Sequence, residues 1–503
     1  MRIPAPPEAV VRLSLSAALL LAAVAMLALY VRVALGRMAY PFSLEWMESG
    51  GLDTVRRMAA GQGVFVAPSR EFIPYNYNPL YYAACAPVMR VLGEGFLPLR
   101  LVSFLASLGT MALLFAIVRK LSGGVLSAFL SSALFAATFH LTGDYFDVAR
   151  ADSLYVTLLI AGLAVTVWGG FRSSSAIFSG LAFGLAYLTK QSALPAIAPF
   201  LVFAAIARPG FGWLAVAVFA LVAGGTTLGL SWATGGWYAF YTLEVATGHR
   251  LEWMRLPHLW TKYADPLGIA TVLGATWFLL PNESGDDARP AVGAFCGGLV
   301  FSSWWVSLYS GSAPNIGMPA TAAICLLFGL GLEAVLRRLR GSEGAITRRL
   351  EWLVYSACIL QFVGLLYPPA KAIPTRADRE AGFALVRFLA DQPGEVLVPF
   401  DSQLARMAGK PGHYHALALA GARGQRGDRA PALEAQREID QALLEGRYSA
   451  VVLDRENRGI LDGNPRFGEE RAFFSDEKVF LTRVGMITRP EFVHVLRPDS
   501  SAR

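Results

Sequence analysis

The stretch YFDVARADSLYVTLLIAGLAV, Tyr145–Val165, sets a charged mouth against an apolar run. A membrane-spanning helix needs about 20 apolar residues, with a range of about 17–25. An ionisable group at the bilayer centre costs roughly 2.5–3.5 kcal/mol on insertion scales. Groups at a helix mouth cost less. Even so, Asp147, Arg150 and Asp152 standing together where the run begins call for a reason. Asp152 falls in the first turn of a span starting near Arg150, where a carboxylate complements the helix dipole. The plain reading is a helix cap ion-paired with Arg150, and Asp147 three residues before Arg150 suits an i,i+3 pair.

Runs of the same kind recur on both sides. The spacing predicts eleven spans, near 13–34, 97–118, 123–141, 150–170, 175–189, 192–207, 211–233, 266–281, 290–310, 318–337 and 351–368. Residues 175–207 are long for one span, and Lys190, Gln191 and Pro195 in the middle predict a tight hairpin with its tip at the surface. Residues 79–92 make a short apolar piece suited to an interfacial or re-entrant position. The N-terminus reads as a retained first helix, not a removed signal peptide.

Composition agrees. The 503 residues are 54% hydrophobic and 16% charged, with mean hydropathy +0.45, whereas soluble domains carry about 25% charged residues. About half of the charges follow Lys371, which divides the chain into a membrane domain, 1–370, and a soluble domain, 371–503. The expected fold class is therefore a polytopic α-helical membrane protein with a small C-terminal α/β domain. In that tail, REAGFALVRFLAD and APALEAQREIDQALLEG read as helices, EVLVPFD and YSAVVLD as strands, and KVFLTRV and FVHVLRP as edge strands. It has no GxGxxG and no P-loop, so no nucleotide is assigned. The net charge of +7 lies in loops between apolar runs, where it sets topology or meets anionic lipid, and a nucleic-acid partner is rejected. Cys85, Cys296, Cys325 and Cys358 are scattered and form neither metal-ligand spacing nor a disulfide framework.

Arginine-rich short loops set the orientation. Residues 337–349 carry five Arg, and Arg119, Lys120, Arg172, Arg208, Arg2 and Arg12 share their side by helix parity. That side is expected to be cytoplasmic, which puts the tail outside, in the periplasm of a bacterial inner membrane. Arg56, Arg57 and Arg70 in the first outer loop oppose the rule; either they are cations kept for an anionic ligand, or a loop of this length translocates despite its charge. The first outer loop, 37–78, contains an amphipathic helix expected to lie on the membrane. The second, 235–265, has the Trp and Tyr content of an interface.

By parity Glu45, Glu48, Asp147, Arg150, Asp152, Lys190 and the 235–265 loop gather on the outer face. At this point a family is visible. MESGGLDTVRRMAAGQGVFVAPSREFIPYNYNPLYY resembles the first outer loop of GT-C glycosyltransferases, polytopic enzymes that take a sugar from a polyprenyl-phosphate carrier. Within them it is most similar to the bacterial branch related to protein mannosyltransferases and aminoarabinose transferases. LPLRLVSFLASLGTMALLFAIVRKL, FDVARADSLYVTLLIAGL, LAYLTKQSALPAIAP and GSAPNIGMPATAAICLLFGLGL follow in the family's order, over about residues 40–335.

The resemblance implies a hexosyl- or pentosyltransferase acting on a lipid-phosphate sugar and an acceptor hydroxyl on a glycan, lipid or protein. It places the base at Glu48, with Glu45 as the alternative and Asp152 as a further acid. Arg150, Lys190 and Arg250 are the candidates for the donor phosphate, with His249, Arg255 and Lys262 weaker ones. Asp147, Tyr75, Asn76, Tyr77, Asn78 and Asn315 are the candidate pocket. Glu48, Asp147 and Asp152 offer hard oxygen ligands to a divalent cation, Mg or Mn. The family includes members with and without metal, so no cofactor is assigned. Each residue has a plainer reading: a solvated helix face for Glu45 and Glu48, a snorkelling anchor for Lys190, an interfacial belt for the 249–262 cations, and turn chemistry for the Tyr and Asn residues. Competing functions are a lipid or polysaccharide transporter or flippase, which favours midplane charges and paired repeats, and a non-catalytic scaffold.

Overall fold

Eleven helices of the computed structural model fall on the eleven predicted runs. The structure describes residues 8–248, 250–281, 288–342, 344–424, 427 and 429–497. Arg2, used above for orientation, lies outside them. The helices are α1 (Glu8–Met38), α4 (Phe96–Ser122), α5 (Val125–Ala137), α6 (Asp152–Gly169), α7 (Ser173–Thr189), α8 (Ala193–Ala207), α9 (Pro209–Ala233), α11 (Gly268–Leu279), α12 (Ala288–Ser307), α13 (Met318–Arg340) and α14 (Ala345–Gly364). Between them lie α2 (Glu48–Ala59), α3 (Leu80–Leu92) and the single turn α10 (Trp237–Ala239). Six helices among the described residues are long and apolar enough to cross a membrane, while α3, α5, α7, α8 and α11 are shorter apolar helices.

Short turns make successive helices antiparallel. Gly123, at φ +70°, closes α4 in the left-handed conformation that glycine adopts without strain. Arg119, Lys120, Arg172, Arg337, Arg338, Arg340, Arg348 and Arg349 are exposed at one end of the bundle. Arg348 reaches Glu8 there (2.9 Å), joining that end to the start of α1. The opposite end carries the long loops and the C-terminal domain.

That domain comprises α15 (Arg376–Asp391), β1 (Glu395–Leu397), α16 (Ser402–Met407), α17 (Ala416–Arg423), α18 (Ala430–Leu444), β2 (Tyr448–Leu453), β3 (Arg471–Ala472) and β4 (Phe492–Val495). The sheet order is β1-β2-β4-β3, parallel between β1 and β2 and antiparallel elsewhere. Every residue of β2 is buried. The expected strand KVFLTRV does not form. The amides of Arg483 and Val484 donate to the carbonyl of Leu44 instead (2.7 and 3.0 Å), so this backbone pairs with the first outer loop and not with the sheet.

The same contact revises the picture of α2. Its first two turns are buried on every side. Asp53 accepts from Ser402 and from Arg406 (3.1 Å), and Trp46 stacks on Phe400 at 6.1 Å. A helix covered by a folded domain is not one lying on lipid, and the solvated face expected for Glu45 and Glu48 does not exist.

Candidate active site

The loop end of the bundle holds four buried ion pairs. Two of them are closed. Glu48, in the first turn of α2, is fully buried and accepts four hydrogen bonds: from Nε (3.0 Å) and Nη2 (2.6 Å) of Arg100, and from the amides of Leu44 (2.7 Å) and Ala149 (2.6 Å). The remaining donors of Arg100 go to the carbonyls of Arg37, Tyr40 and Phe42. Burial pushes the Glu48 carboxyl up, but Arg100 and the two amides outweigh it and hold the group below the usual carboxylate range. An acid so thoroughly satisfied has nothing left with which to take a proton, so the expectation that Glu48 is the base gives way. Asp147 is likewise engaged twice by Arg37, at 2.8 and 2.6 Å, while Arg37 also donates to the carbonyl of Asp144. Asp147 is therefore neither paired with Arg150 nor a wall of an open pocket.

The other two pairs are looser. Glu45 is bound by Nη1 of Arg150 (3.0 Å) through one oxygen and by the amide of Met47 (2.9 Å) through the other. Burial pushes its carboxyl up to about 7, with Arg150 opposing. Arg150 also donates to the Tyr77 hydroxyl (2.7 Å) and lies over the Tyr77 ring at 5.3 Å. Asp152 opens α6 but caps no backbone amide. Its Oδ1 accepts from Nζ of Lys190 (2.5 Å) and from Asn315 (2.9 Å). The expected Asp152–Arg150 pair is thus replaced by Asp152–Lys190. Lys190 does not snorkel: its side chain is only 13% exposed, and the 190–192 tip folds inward.

Chain connectivity keeps these groups close. Glu48 binds the amide of Ala149, three residues before Asp152, and each residue advances the chain by no more than about 3.8 Å. Lys190, Tyr155, Ser192, Ser302, Asn315 and Pro319 line a narrow cleft. On the same helix α12, Val300 and Trp304 help line an apolar groove of about 450 Å³ with Leu256, Leu259 and Trp260.

The structure sorts the remaining candidates. Tyr75 is buried, with its hydroxyl unpartnered, against Gly50, where an added Cβ would stand 2.5 Å from that hydroxyl. The Asn76 carbonyl accepts from Gln191 (2.7 Å), which ties the loop to the α7–α8 turn. Asn78 is a buried strut, donating to the Tyr187 carbonyl and accepting from Tyr238 (2.7 Å), so it does not face a pocket. Arg250 is exposed and its backbone pairs with Ser310; among the contacts of the described residues none joins it to Asp152 or Lys190. Arg255 is bound by Glu252 and Ser312. His249 lies outside the described residues.

Glu48, Asp147 and Asp152 each hold a cation of their own, so they do not form the metal-ligand set considered above. Among the described residues no three His, Cys, Asp or Glu side chains converge on a metal site. Arg37 and Arg100 escaped sequence reasoning. The signal was there in Arg100, a guanidinium inside the apolar helix LPLRLVSFLASLG.

Residues 76–232 match the dolichyl-phosphate-mannose-protein mannosyltransferase family. No curated protein sequence matches the chain. Among solved structures, ArnT from Cupriavidus metallidurans bound to undecaprenyl phosphate superposes with a TM-score of 0.63 at 15% identity, covering 95% of this chain and 98% of ArnT. The archaeal oligosaccharyltransferase AglB from Archaeoglobus fulgidus, in complex with an inhibitory peptide and a dolichol-phosphate, gives 0.57 at 10% identity, covering 89% of this chain and 70% of AglB. The protein has the fold of the GT-C glycosyltransferases, and its segment 76–232 carries the sequence pattern of their mannosyltransferase branch.

Proposed function

We propose that this protein transfers a sugar from a polyprenyl-phosphate carrier to an acceptor hydroxyl at the outer face of a bacterial inner membrane. The observation that carries the reading is the pairing of Glu45 with Arg150 and of Asp152 with Lys190 at the loop end of the bundle, with an apolar groove on the neighbouring helix face. The exposed arginines at the far end support an outward-facing site. The ligand of the ArnT structure, undecaprenyl phosphate, is the class of carrier such a groove would take.

The chemistry divides between the two loose pairs. Lys190 offers a compact charge with three donors, so it keeps its bond to Asp152 while donating to a phosphate oxygen. Asn315 holds Asp152 in place from the other side. The acceptor oxygen attacks the anomeric carbon, the bond from that carbon to the phosphate oxygen breaks, and polyprenyl phosphate leaves with the electron pair. Lys190 stabilises the charge that grows on the leaving oxygen. The acceptor proton passes to Glu45, whose value near 7 suits a base at neutral pH. Arg150 orients Glu45 and keeps it ionised once substrate is bound.

The test is incubation of the purified protein with a panel of polyprenyl-phosphate sugars, scoring acceptor-dependent release of polyprenyl phosphate. Release by the wild type and its loss in Lys190→Ala are expected. Donor crossing the bilayer intact, without release, would replace the transferase with a flippase.

A further inference from the structure

The outer segment 253–264 reaches inward at one aromatic residue. Trp253 and Trp260 are 61% and 60% exposed, whereas Tyr263 is 2% exposed. A buried tyrosine usually places its hydroxyl on a partner, and here the hydroxyl donates to the carbonyl of Pro314 (2.9 Å). Pro314 opens the short 3-10 turn Pro314–Gly317, which leads into α13. The last residue of that turn packs on the same ring. A Cβ on Gly317 would stand 2.2 Å from the Tyr263 ring, so a side chain there would displace it.

Tyr263 thus holds the turn at both ends, and Asn315 lies between them. Asn315 is buried, and its amide donates to Oδ1 of Asp152 (2.9 Å), the oxygen that also accepts from Lys190. From the other side the turn is backed by Gly143, where an added Cβ would meet the Pro314 ring at 2.9 Å. The Ser303 hydroxyl of α12 accepts from the amide of Ala320 (3.1 Å), which fixes the start of α13. Leu259, one turn before Tyr263, packs with Tyr263 and Ala320 and also lines the apolar groove with Val300 and Trp304. The turn that carries Asn315 is therefore wedged, and Tyr263 is the wall supplied by the outer segment.

We infer that Tyr263 is a positioning residue, which sets where Asn315 stands and, through Asn315, the geometry of the Asp152–Lys190 pair. The inference rests on the function proposed above for that pair. Among the contacts of the described residues Tyr263 has none with Asp152 or Lys190, so its effect passes through the turn. A hydrogen bond weakens steeply once its angle is lost, so a small shift of the turn takes Asn315 off Asp152. An Asp152 released in this way has only the Lys190 ammonium to bind. It draws that charge toward itself and away from the phosphate oxygen. A plain anchor for the outer segment behaves differently: its removal costs the same whether or not Asn315 is present. A positioning residue costs nothing further once Asn315 is gone.

The test is a double-mutant cycle on the full chain, with kcat and KM for a polyprenyl-phosphate sugar and melting temperature read on the same preparations. Tyr263→Phe keeps the ring and removes the hydroxyl. It should lower kcat about fivefold, the scale of one neutral hydrogen bond, and leave KM within about twofold, because the charge on the leaving oxygen grows only in the transition state. Asn315→Ala should lower kcat about tenfold. The double variant should lose no more than Asn315→Ala alone, against about fiftyfold if the two residues act independently. Gly317→Ala, which displaces the Tyr263 ring, should show the same dependence on Asn315. Equal losses from Tyr263→Phe with and without Asn315 overturn the inference, and so does a lowered melting temperature with kcat unchanged. Should Tyr263→Phe fail to fold, the Gly317→Ala cycle decides by the same criterion. A wild-type protein without transfer activity overturns the proposed function, and this inference with it.

Discussion

Two sets of ion pairs share one end of this bundle, and they differ in how completely each charge is used. In Arg37–Asp147 and Arg100–Glu48 the guanidinium grips both carboxylate oxygens, and backbone groups take up the remaining donors or acceptors. In Glu45–Arg150 and Asp152–Lys190 a single contact joins each pair, and the cation keeps some exposure. The closed pairs fasten α1, α2 and α4 to the loop before α6. The loose pairs sit on that framework with donors still to offer. Saturation, and not merely burial or charge, separates the two sets, and on the proposed function the unsaturated pairs are the ones free to meet a substrate.

The largest effect that would break this contrast is on the closed side. Arg100→Ala strands Glu48 without its partner, and removing one member of a buried pair costs about 3–5 kcal/mol. A sharp fall in thermal stability is expected; a stable, active Arg100→Ala protein would erase the distinction. On the loose side, Lys190→Ala should retain the fold and lower transfer about 10²–10³-fold, the scale of a lost charge-stabilising donor. Measured on folded protein, an unchanged rate would remove Lys190 from the site. Asn315→Ala takes one hydrogen bond from Asp152 and should cost about tenfold in kcat/KM, near the low end for bonds to charged groups. The effect of pH is the most gradual. Glu45 must be ionised to accept a proton, so the rate should rise with pH and level off above about 7, falling no more than about tenfold per unit below it. A flat profile from pH 5.5 to 8, roughly the span in which such a group titrates, would place the base elsewhere.

The bundle was legible in the sequence because bilayer-length apolar runs announce themselves, and each predicted run contains a helix. The gathering of acids and cations at one end followed from parity alone. What could not be read was the pairing. Asp152 faces Lys190, not its neighbour Arg150, because residues 38 apart meet when α6 and α7 pack side by side. Local spacing suggested i,i+3 partners, but Asp147 lies in a loop, where helical spacing has no meaning. Glu48 was preferred to Glu45 on resemblance, and only the position of Arg100, brought from another helix, shows it closed. The failed strand KVFLTRV has the same cause: its donors are used on a loop over 400 residues earlier in the chain.

The most direct measurement of the central claim is a side-by-side assay of Glu45→Gln and Glu48→Gln, with melting temperature and donor-dependent transfer read on the same preparations. Glu45→Gln should melt near wild type and lose about 10²–10⁴-fold in rate, the range for a removed general base, while Glu48→Gln should melt markedly lower. A well-folded Glu45→Gln protein that turns over at the wild-type rate would contradict the account.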